Sequence, residues 1–430
     1  MPQPPRSQIA LLTMLIFLDH MGLAIVVVLL PQLFLDSHGT FLPAAWLAPQ
    51  RLTLLGLCLG VYPFGQFFGA MIFGKLSDHY GRKAVLTCTI LGTLLGFALS
   101  ATAIAASTYI LLICSRLLAG LCAGNAAVAQ ASLADLSVDQ HSKAHYLSLG
   151  QMAMGSAYII GPMLGGVLSN SALVSWFDVS TPFWSFAAIL LATLVLIRIL
   201  YRETLTQRHS GRIAVTRGAA QIYTAFTHRT LRFAFLLWFT FIAGWWLFEA
   251  FMPAFLFQRF HFSTTSIGTL LAFNGALYAA FQYLVVKPLT PVLSAYQMVS
   301  YSGFLVGAAI LAMTVLTTVP ELYLAMVVFV TAMGFAIPGY ITALSERADR
   351  GDQGQIMGMI GAVQALATVL VMFAGGYLSA LAATLPVAGG GLLILLSWLL
   401  FAKHAREWNA KAGEVEPLAT IQLGSEQAGE

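Results

Sequence analysis

The sequence predicts an all-α membrane protein in which twelve transmembrane helices form two six-helix halves. Three observations carry that prediction. Hydrophobic residues make up 59% of the 430 residues and charged residues only 9%, where a soluble domain carries about 25%. A chain so poor in charge cannot cover a water-facing surface, and must turn most of its apolar side chains to lipid or to other spans. Apolar runs long enough to cross a bilayer recur along nearly the whole chain, and Lys and Arg collect in alternate connections between them.

The runs are taken in order. The first, 9–30, follows Arg6 and ends at Pro31. It is too long for a signal-peptide core and lacks a cleavage signal, so it is expected to be a retained span. A connection at 31–51, rich in Pro, His and Trp, leads to spans at 52–74, 84–106, 109–133, 145–169 and 182–201. These six make one half, 1–201. The stretch 202–232 carries Arg202, Arg208, Arg212, Arg217, Arg229 and Arg232 and is expected to be a basic connector. The second half, 233–403, holds spans at 233–257, 265–286, 295–316, 321–344, 355–382 and 386–402. A polar, acidic tail at 404–430 is expected to be disordered.

With both termini on one face, that face receives 18 of the 21 Lys and Arg residues; Arg51 and Arg259 lie on the other, and Arg116 sits inside the fourth span. The asymmetry predicts cytoplasmic termini and a multi-pass protein of the inner or plasma membrane. It also accounts for the net charge of +4, so no nucleic-acid partner is expected. Cys58, Cys88, Cys114 and Cys122 all lie in apolar runs with no CxxC pair, which predicts buried packing rather than a disulfide frame or a zinc site. No Walker, HExxH or nucleophile-elbow pattern occurs, so an enzyme, a metal site and a bound cofactor are not expected.

The chemistry-bearing residues fall in four groups. Between spans two and three the chain reads Gly74-Lys75-Leu76-Ser77-Asp78-His79-Tyr80-Gly81-Arg82-Lys83, expected to be a tight turn. Gly81 can take φ > 0, Gly74 lets a helix approach, and Asp78 and Arg82, with Asp135 as a partner for Arg82, form a charge cluster expected to hold the halves together in one state and to break in the other. Span four places Arg116, Gly120 and Gly124 at i, i+4 and i+8, on one helix face. Span five carries Gly161-Pro162-Met163-Leu164-Gly165-Gly166, in which Pro162 bends the helix and Gly161, Gly165 and Gly166 permit close packing against span eight.

The fourth group is ionisable. Asp19, Arg116 and Glu249 stand inside spans, where a charge costs about 2.5–3.5 kcal/mol unless it is paired or wetted. Their depths from the outer end, roughly 16, 11 and 12 Å at 1.5 Å per residue, allow all three to face one central cavity. A carboxyl group whose surroundings alternate between dry and wet can take a proton on one side and release it on the other, so Asp19, with Glu249 as a second carrier, is the expected proton or cation site. A static Asp19–Arg116 ion pair is the plainer reading for Asp19, and an interfacial place near the outer headgroups is the favoured one for Glu249. His20 is expected to pack rather than to relay protons. Gln66, Asn125, Gln151, Tyr158, Trp245, Trp246, Asn274, Tyr278 and Gln364 are candidate cavity residues, with Trp245 and Trp246 foremost because they precede Glu249 by one turn.

The charged turn, the Arg116 helix and the span-five glycine-proline run together resemble the signatures of the major facilitator superfamily. Span one, with Leu18-Asp19-His20-Met21-Gly22, and Gly351-Asp352-Gln353-Gly354-Gln355 before span eleven resemble its tetracycline and multidrug proton antiporters. His79 stands where that group usually has Arg, and Tyr278 lies near where tetracycline exporters carry a His. The resemblance implies the two-half fold, a substrate site between the halves, and proton-coupled export of a small amphipathic drug or toxic metabolite by a monomer. Its expected partners are the small molecule, protons and the bilayer. A dedicated carrier of a metabolite or siderophore, including an importer, remains the alternative.

Overall fold

The computed structural model describes residues 6–36, 41–43, 45–205, 217–228, 231–290, 292–346 and 353–404. Arg208, Arg212, Arg229, Gly351, Asp352 and the tail from 405 onward lie outside the described residues. Within them the chain is helical: α1 (Arg6–Leu35), α2 (Ala48–Tyr80), α3 (Arg82–Ala105), α4 (Tyr109–Cys122), α5 (Asn125–Asp135), α6 (Gln140–Leu168), α7 (Thr181–Leu200), α8 (Arg217–Thr227), α9 (Arg232–Arg259), α10 (Thr264–Phe281), a π-helical segment (Gln282–Val286) running into α11 (Lys287–Leu289), α12 (Ala295–Val315), α13 (Val319–Ser345), α14 (Gln353–Leu381) and α15 (Leu385–Lys403).

Eleven of the expected spans coincide with helices long and apolar enough to cross a bilayer, taking α4 with α5 and α10 with α11 as single spans. The fifth expected span lies in α6, whose 29 residues are richer in Gly, Ser and Gln but reach about 43 Å. The helices are apolar on all sides, as a membrane requires: Leu191, Val195 and Ile199 of α7 are exposed while Phe183, Phe186 and Leu190 are buried. Short polar caps end them. Ser263 accepts from the Ser266 N–H, and Ser294 and Gln297 form a reciprocal capping box at α12.

Two six-helix halves follow from the packing. In the first half α1 lies on α6, α3 on α4 and α7, and α2 on α4; in the second half α9 lies on α14, α12 on α13 and α15, and α10 on α13. Each pairing in one half has its counterpart in the other, as two related repeats demand. The halves meet through α2 against α14 and α6 against α10, again counterparts.

Several expectations change. The predicted fourth span is interrupted at Ala123–Gly124, between α4 and α5; Gly124 caps α5 and the ladder is broken there. Arg116, Gly120 and Gly124 still all turn towards α2, meeting the Tyr62 ring, the Tyr62 backbone and Phe73. The predicted turn between spans two and three shrinks to one residue. Gly74 to Tyr80 complete α2, and Gly81 alone (φ +102°) reverses the chain into α3. Cys88 and Cys114 are exposed rather than buried; Cys58 and Cys122 are buried as expected.

At the α7 entrance, Asp178 accepts from the N–H groups of Ser180 and Thr181 at 2.8 and 3.0 Å and from both hydroxyls at 2.7 and 3.0 Å. Burial pushes this carboxyl up from 3.8, but the four hydrogen bonds outweigh it and hold it below that value. A depressed native value means the stabilisation is present above the unfolded value and is lost as pH falls through the lower native one. Asp178→Ala is therefore expected to lower stability by about 1 kcal/mol at pH 7, with the difference shrinking as pH falls through the lowered native value, read by thermal unfolding in detergent at several pH values. Gly81→Ala is expected to cost about 1–3 kcal/mol, since its φ suits glycine alone. In the same measurement Gly74→Ala, whose added methyl meets nothing within 4 Å, stays within about 0.5 kcal/mol of the parent.

Candidate functional site

Among the described residues, tight backbone contacts join the two halves at one end. A Cβ built at Gly376 of α14 would lie 2.6 Å from the Gly56 Cα of α2, and one at Gly166 of α6 would lie 2.9 Å from the Thr264 carbonyl of α10. Gly268 of α10 abuts the Pro162 carbonyl, Thr264 bonds Gln32 of α1, and Asn170 donates to the Thr265 hydroxyl at 3.2 Å. Small residues let the backbones touch there. Towards the face that carries the α2–α3 turn and α8, which we call the connector face, Gly74 and Gly361 meet no neighbour. A cavity of about 490 Å³ opens between the halves.

Its wall carries Asp19 and His20 of α1, Tyr62 and Gln66 of α2, Tyr158 of α6, Trp246 of α9 and Gln364 of α14. Asp19 is the only carboxylate among the described residues that line it. The Asn125 amide donates to Asp19 Oδ1 at 3.3 Å and to the Thr93 hydroxyl at 3.3 Å, so a buried residue of α5 holds the carboxylate from behind. His20 bonds through Nδ1 to the Ile16 carbonyl at 2.9 Å. That bond requires the proton on Nδ1 and leaves Nε2 of a neutral ring as an acceptor. The ring stands edge-on to Tyr158 at 5.9 Å. His20 thus lines the cavity, where packing had been expected.

The expected ionisable trio does not converge. Arg116 is 1% exposed and lies behind the cavity wall, its guanidinium 4.7 Å from the Tyr62 ring centre and 5.2 Å from that of Phe97. Among the described residues none of its three nitrogens has a hydrogen-bond partner, and no ion pair joins it to Asp19. Two aromatic faces supply what a carboxylate had been expected to supply. Glu249 lies outside the lining, with the Trp245 side chain as hydrogen-bonding neighbour. Tyr158 is within electrostatic reach of both Glu249 and Asp19.

Of the nine polar and aromatic candidates, Gln66, Tyr158, Trp246 and Gln364 line the cavity. Asn125 is the buried support of Asp19, and Trp245 neighbours Glu249. Gln151 is exposed and not in the lining, although, seven residues before Tyr158, it shares that residue's face of α6. Asn274 donates to Met326 Sδ at 3.4 Å, and Tyr278 packs on the core from α10; neither is in the lining. The fifth-span glycines divide their work: Gly166 meets α10, whereas Gly161 faces Ala24 and Met21 and Gly165 faces Ile25, all of α1.

The charge cluster at the connector face joins helices of one half only, not the two halves as expected. Arg82 reaches Asp78 at 2.7 Å, Asp135 at 3.0 Å and the Ser77 hydroxyl at 2.5 Å, tying α2, α3 and α5. A partner invisible in the sequence completes it. Glu203, just beyond α7, accepts from the Arg82 and Lys83 N–H groups at 2.9 and 3.1 Å, and Lys83 donates to the Arg198 and Tyr201 carbonyls at 3.2 and 2.7 Å. An anion caps the start of α3 while a cation caps the end of α7, each satisfying the helix-end charge of the other. A separation of 120 residues hid this pairing.

Comparison with known proteins agrees with this architecture. Residues 12–372 and 243–425 match the Major Facilitator Superfamily. The chain is 28% identical over 422 residues to the tetracycline resistance protein, class H, of Pasteurella multocida, covering 95% of this chain and 98% of that one. The fold matches the human organic anion transporter MFSD10 (TETRAN) with a TM-score of 0.67 and 22% identity, covering 93% and 100% of the two chains. It also matches the xylose transporter XylE from E. coli in an inward open conformation, with a TM-score of 0.68 and 16% identity, covering 92% and 95%. With two repeats of six helices, a cavity between them and a family match over most of its length, the chain belongs to the Major Facilitator Superfamily, a family of multi-pass membrane carriers and not of enzymes.

Proposed function

We propose that this carrier exports small amphipathic molecules in exchange for protons, with Asp19 as the group at which proton and cargo compete. The observation that carries the proposal is that Asp19 is the sole carboxylate among the described residues lining the inter-half cavity, beside Tyr62, Phe67, Tyr158 and Trp246. A negative group among aromatic faces suits a lipophilic cation, and a protonated carboxyl has no hold on one. His20 Nε2 and Tyr158 give a proton a route between Asp19 and the Glu249 side. The tetracycline resistance relatives support export.

Alternating access supplies the rest of the cycle. The halves are joined at one end by glycine contacts and apart at the connector face, where Gly74 and Gly361 stand open. Rocking about the site would close the connector face on those glycines and part the other end. The excess of Lys and Arg supports a cytoplasmic connector face and cytoplasmic termini, in the inner membrane, with the chain acting as a monomer. One proton entering through 100 mV supplies about 2.3 kcal/mol, enough for a gradient of about fifty-fold.

The second reading is a dedicated carrier of an anionic metabolite. What favours it is Arg116, a buried cation without a polar partner, whose field reaches the cavity through Tyr62.

In proteoliposomes, tetraphenylphosphonium added to the parent protein is expected to drive proton movement, and Asp19→Asn to reduce that movement by about a hundredfold. Unchanged coupling in Asp19→Asn would remove Asp19 from the cycle; response to an anionic dye and not to the cation would favour the second reading. Gly376→Val is expected to wedge α14 from α2 at the closed end and shift the two-state equilibrium by about tenfold or more. Amide exchange should then quicken at the 48–60 and 372–381 ends and slow at the connector-face ends of the same helices. The same exchange pattern as the parent would rule out that hinge.

A further inference from the structure

The connector helix α8 is amphipathic and is seated on the second half, against α14 and α9. Ala225 is fully buried, and Phe226 meets Phe239 of α9 edge-on at 5.9 Å. Tyr223, on the opposite side, is 71% exposed. Gln221, one turn before Ala225 and on the same face, is directed over α14, where its Nε2 lies 2.5 Å from the point a Cβ at Gly358 would occupy. Glycine at 358 is what leaves Gln221 its place.

Beyond Gly358 the Gln221 side chain enters the space between the halves. It lines the 490 Å³ cavity that holds Asp19, and it also lines a second space of about 300 Å³ at the connector face, bounded by Gly74, Lys75, Asp78 and Arg82. Three residues line both spaces: Met71 of α2, Ala127 of α5 and Gln221 of α8. They therefore mark the neck where the two spaces adjoin, on a path from the connector face to Asp19. Two of the three are apolar, and only Gln221 can make hydrogen bonds. Its amide offers two donors and one acceptor and no charge.

We propose that Gln221 is a specificity-determining residue of the transport path, contributed by the connector rather than by a span. It would select at the neck for cargo carrying a neutral hydrogen-bonding group beside its apolar body. The amide would contact cargo in the state described here, and α8, seated on α14 and α9, would carry it with the second half as the connector face closes. The inference rests on the reading of the cavity as the transport site.

The test uses the full-length protein in detergent with tetraphenylphosphonium as a blocking probe and tetracycline as a hydrogen-bonding one. Gln221→Cys is labelled with N-ethylmaleimide, and the reaction of exposed Cys88 and Cys114, measured in the unsubstituted chain, is subtracted. Saturating tetraphenylphosphonium is expected to slow labelling at position 221 at least about fivefold, and Gln221→Leu to weaken tetracycline binding by about fivefold, the worth of one neutral hydrogen bond. Gln221→Leu should leave tetraphenylphosphonium binding, which has no hydrogen bond to lose, within about twofold. Tyr223→Ala, on the outer face of the same helix, should change neither and so separates a contact from a loss of helix packing. Undiminished labelling under a probe whose binding Asp19→Asn abolishes would overturn the role of Gln221 alone. Probe binding that is absent, or indifferent to Asp19→Asn, would overturn the transport-site reading and this inference with it.

Discussion

The structure depends on backbone-to-backbone contact at one end of two symmetry-related helix pairs. Where α2 meets α14 and α6 meets α10, glycines remove the side chains that would hold the helices apart. In lipid there is little hydrophobic gain from bringing two apolar helices together, so close van der Waals contact has to supply the attraction. Concentrating that contact at one end has a geometric consequence. Straight, rigid helices that touch at one end diverge towards the other, and the divergence is the cavity. The same pairs carry glycines without neighbours at the connector face, so the sequence provides for close contact at either end.

Polar groups are distributed to fit this geometry. Asp19 is held by Asn125 from behind and open to the cavity in front, which lets it exchange partners as water enters or leaves. Arg116 is treated in the opposite way, enclosed by Tyr62 and Phe97 and given no polar partner. An unpaired guanidinium in such a place is costly, and its nearest cavity-lining neighbour is Tyr62. The ring that separates Arg116 from the cavity is thus also the element through which its charge is felt at the site.

Stiffness is needed if the halves are to rock as units. Arg82 ties α2, α3 and α5 at the connector face, and the reciprocal capping by Glu203 and Lys83 adds α7. These bonds stay within one half, so a rocking motion leaves them intact. Gly81 serves the same cluster twice, by turning the chain at a positive φ and by leaving room for the Glu203 carboxylate, 2.5 Å from where a Cβ would stand.

The sequence by itself determined the fold class, the number of spans and the division into halves, because hydropathy over about 20 residues reflects the thickness of a bilayer and charge counts reflect its two faces. It also located Asp19, since a carboxylate in an apolar run is conspicuous in one dimension. Only the tertiary structure decided which groups share a surface. A helix shows every residue in turn to a different direction, and its rotation is set by neighbours far away in the chain. So Arg116 turned to aromatic faces instead of to Asp19, Glu249 and Gln151 stayed out of the lining, and His20 joined the cavity wall. Glu203 and Gln221 lay in a connector whose arginines alone stood out in the sequence. Their contacts, across 121 residues to Arg82 and 137 to Gly358, exist because helix ends packed side by side bring distant segments together, and no local spacing encodes that.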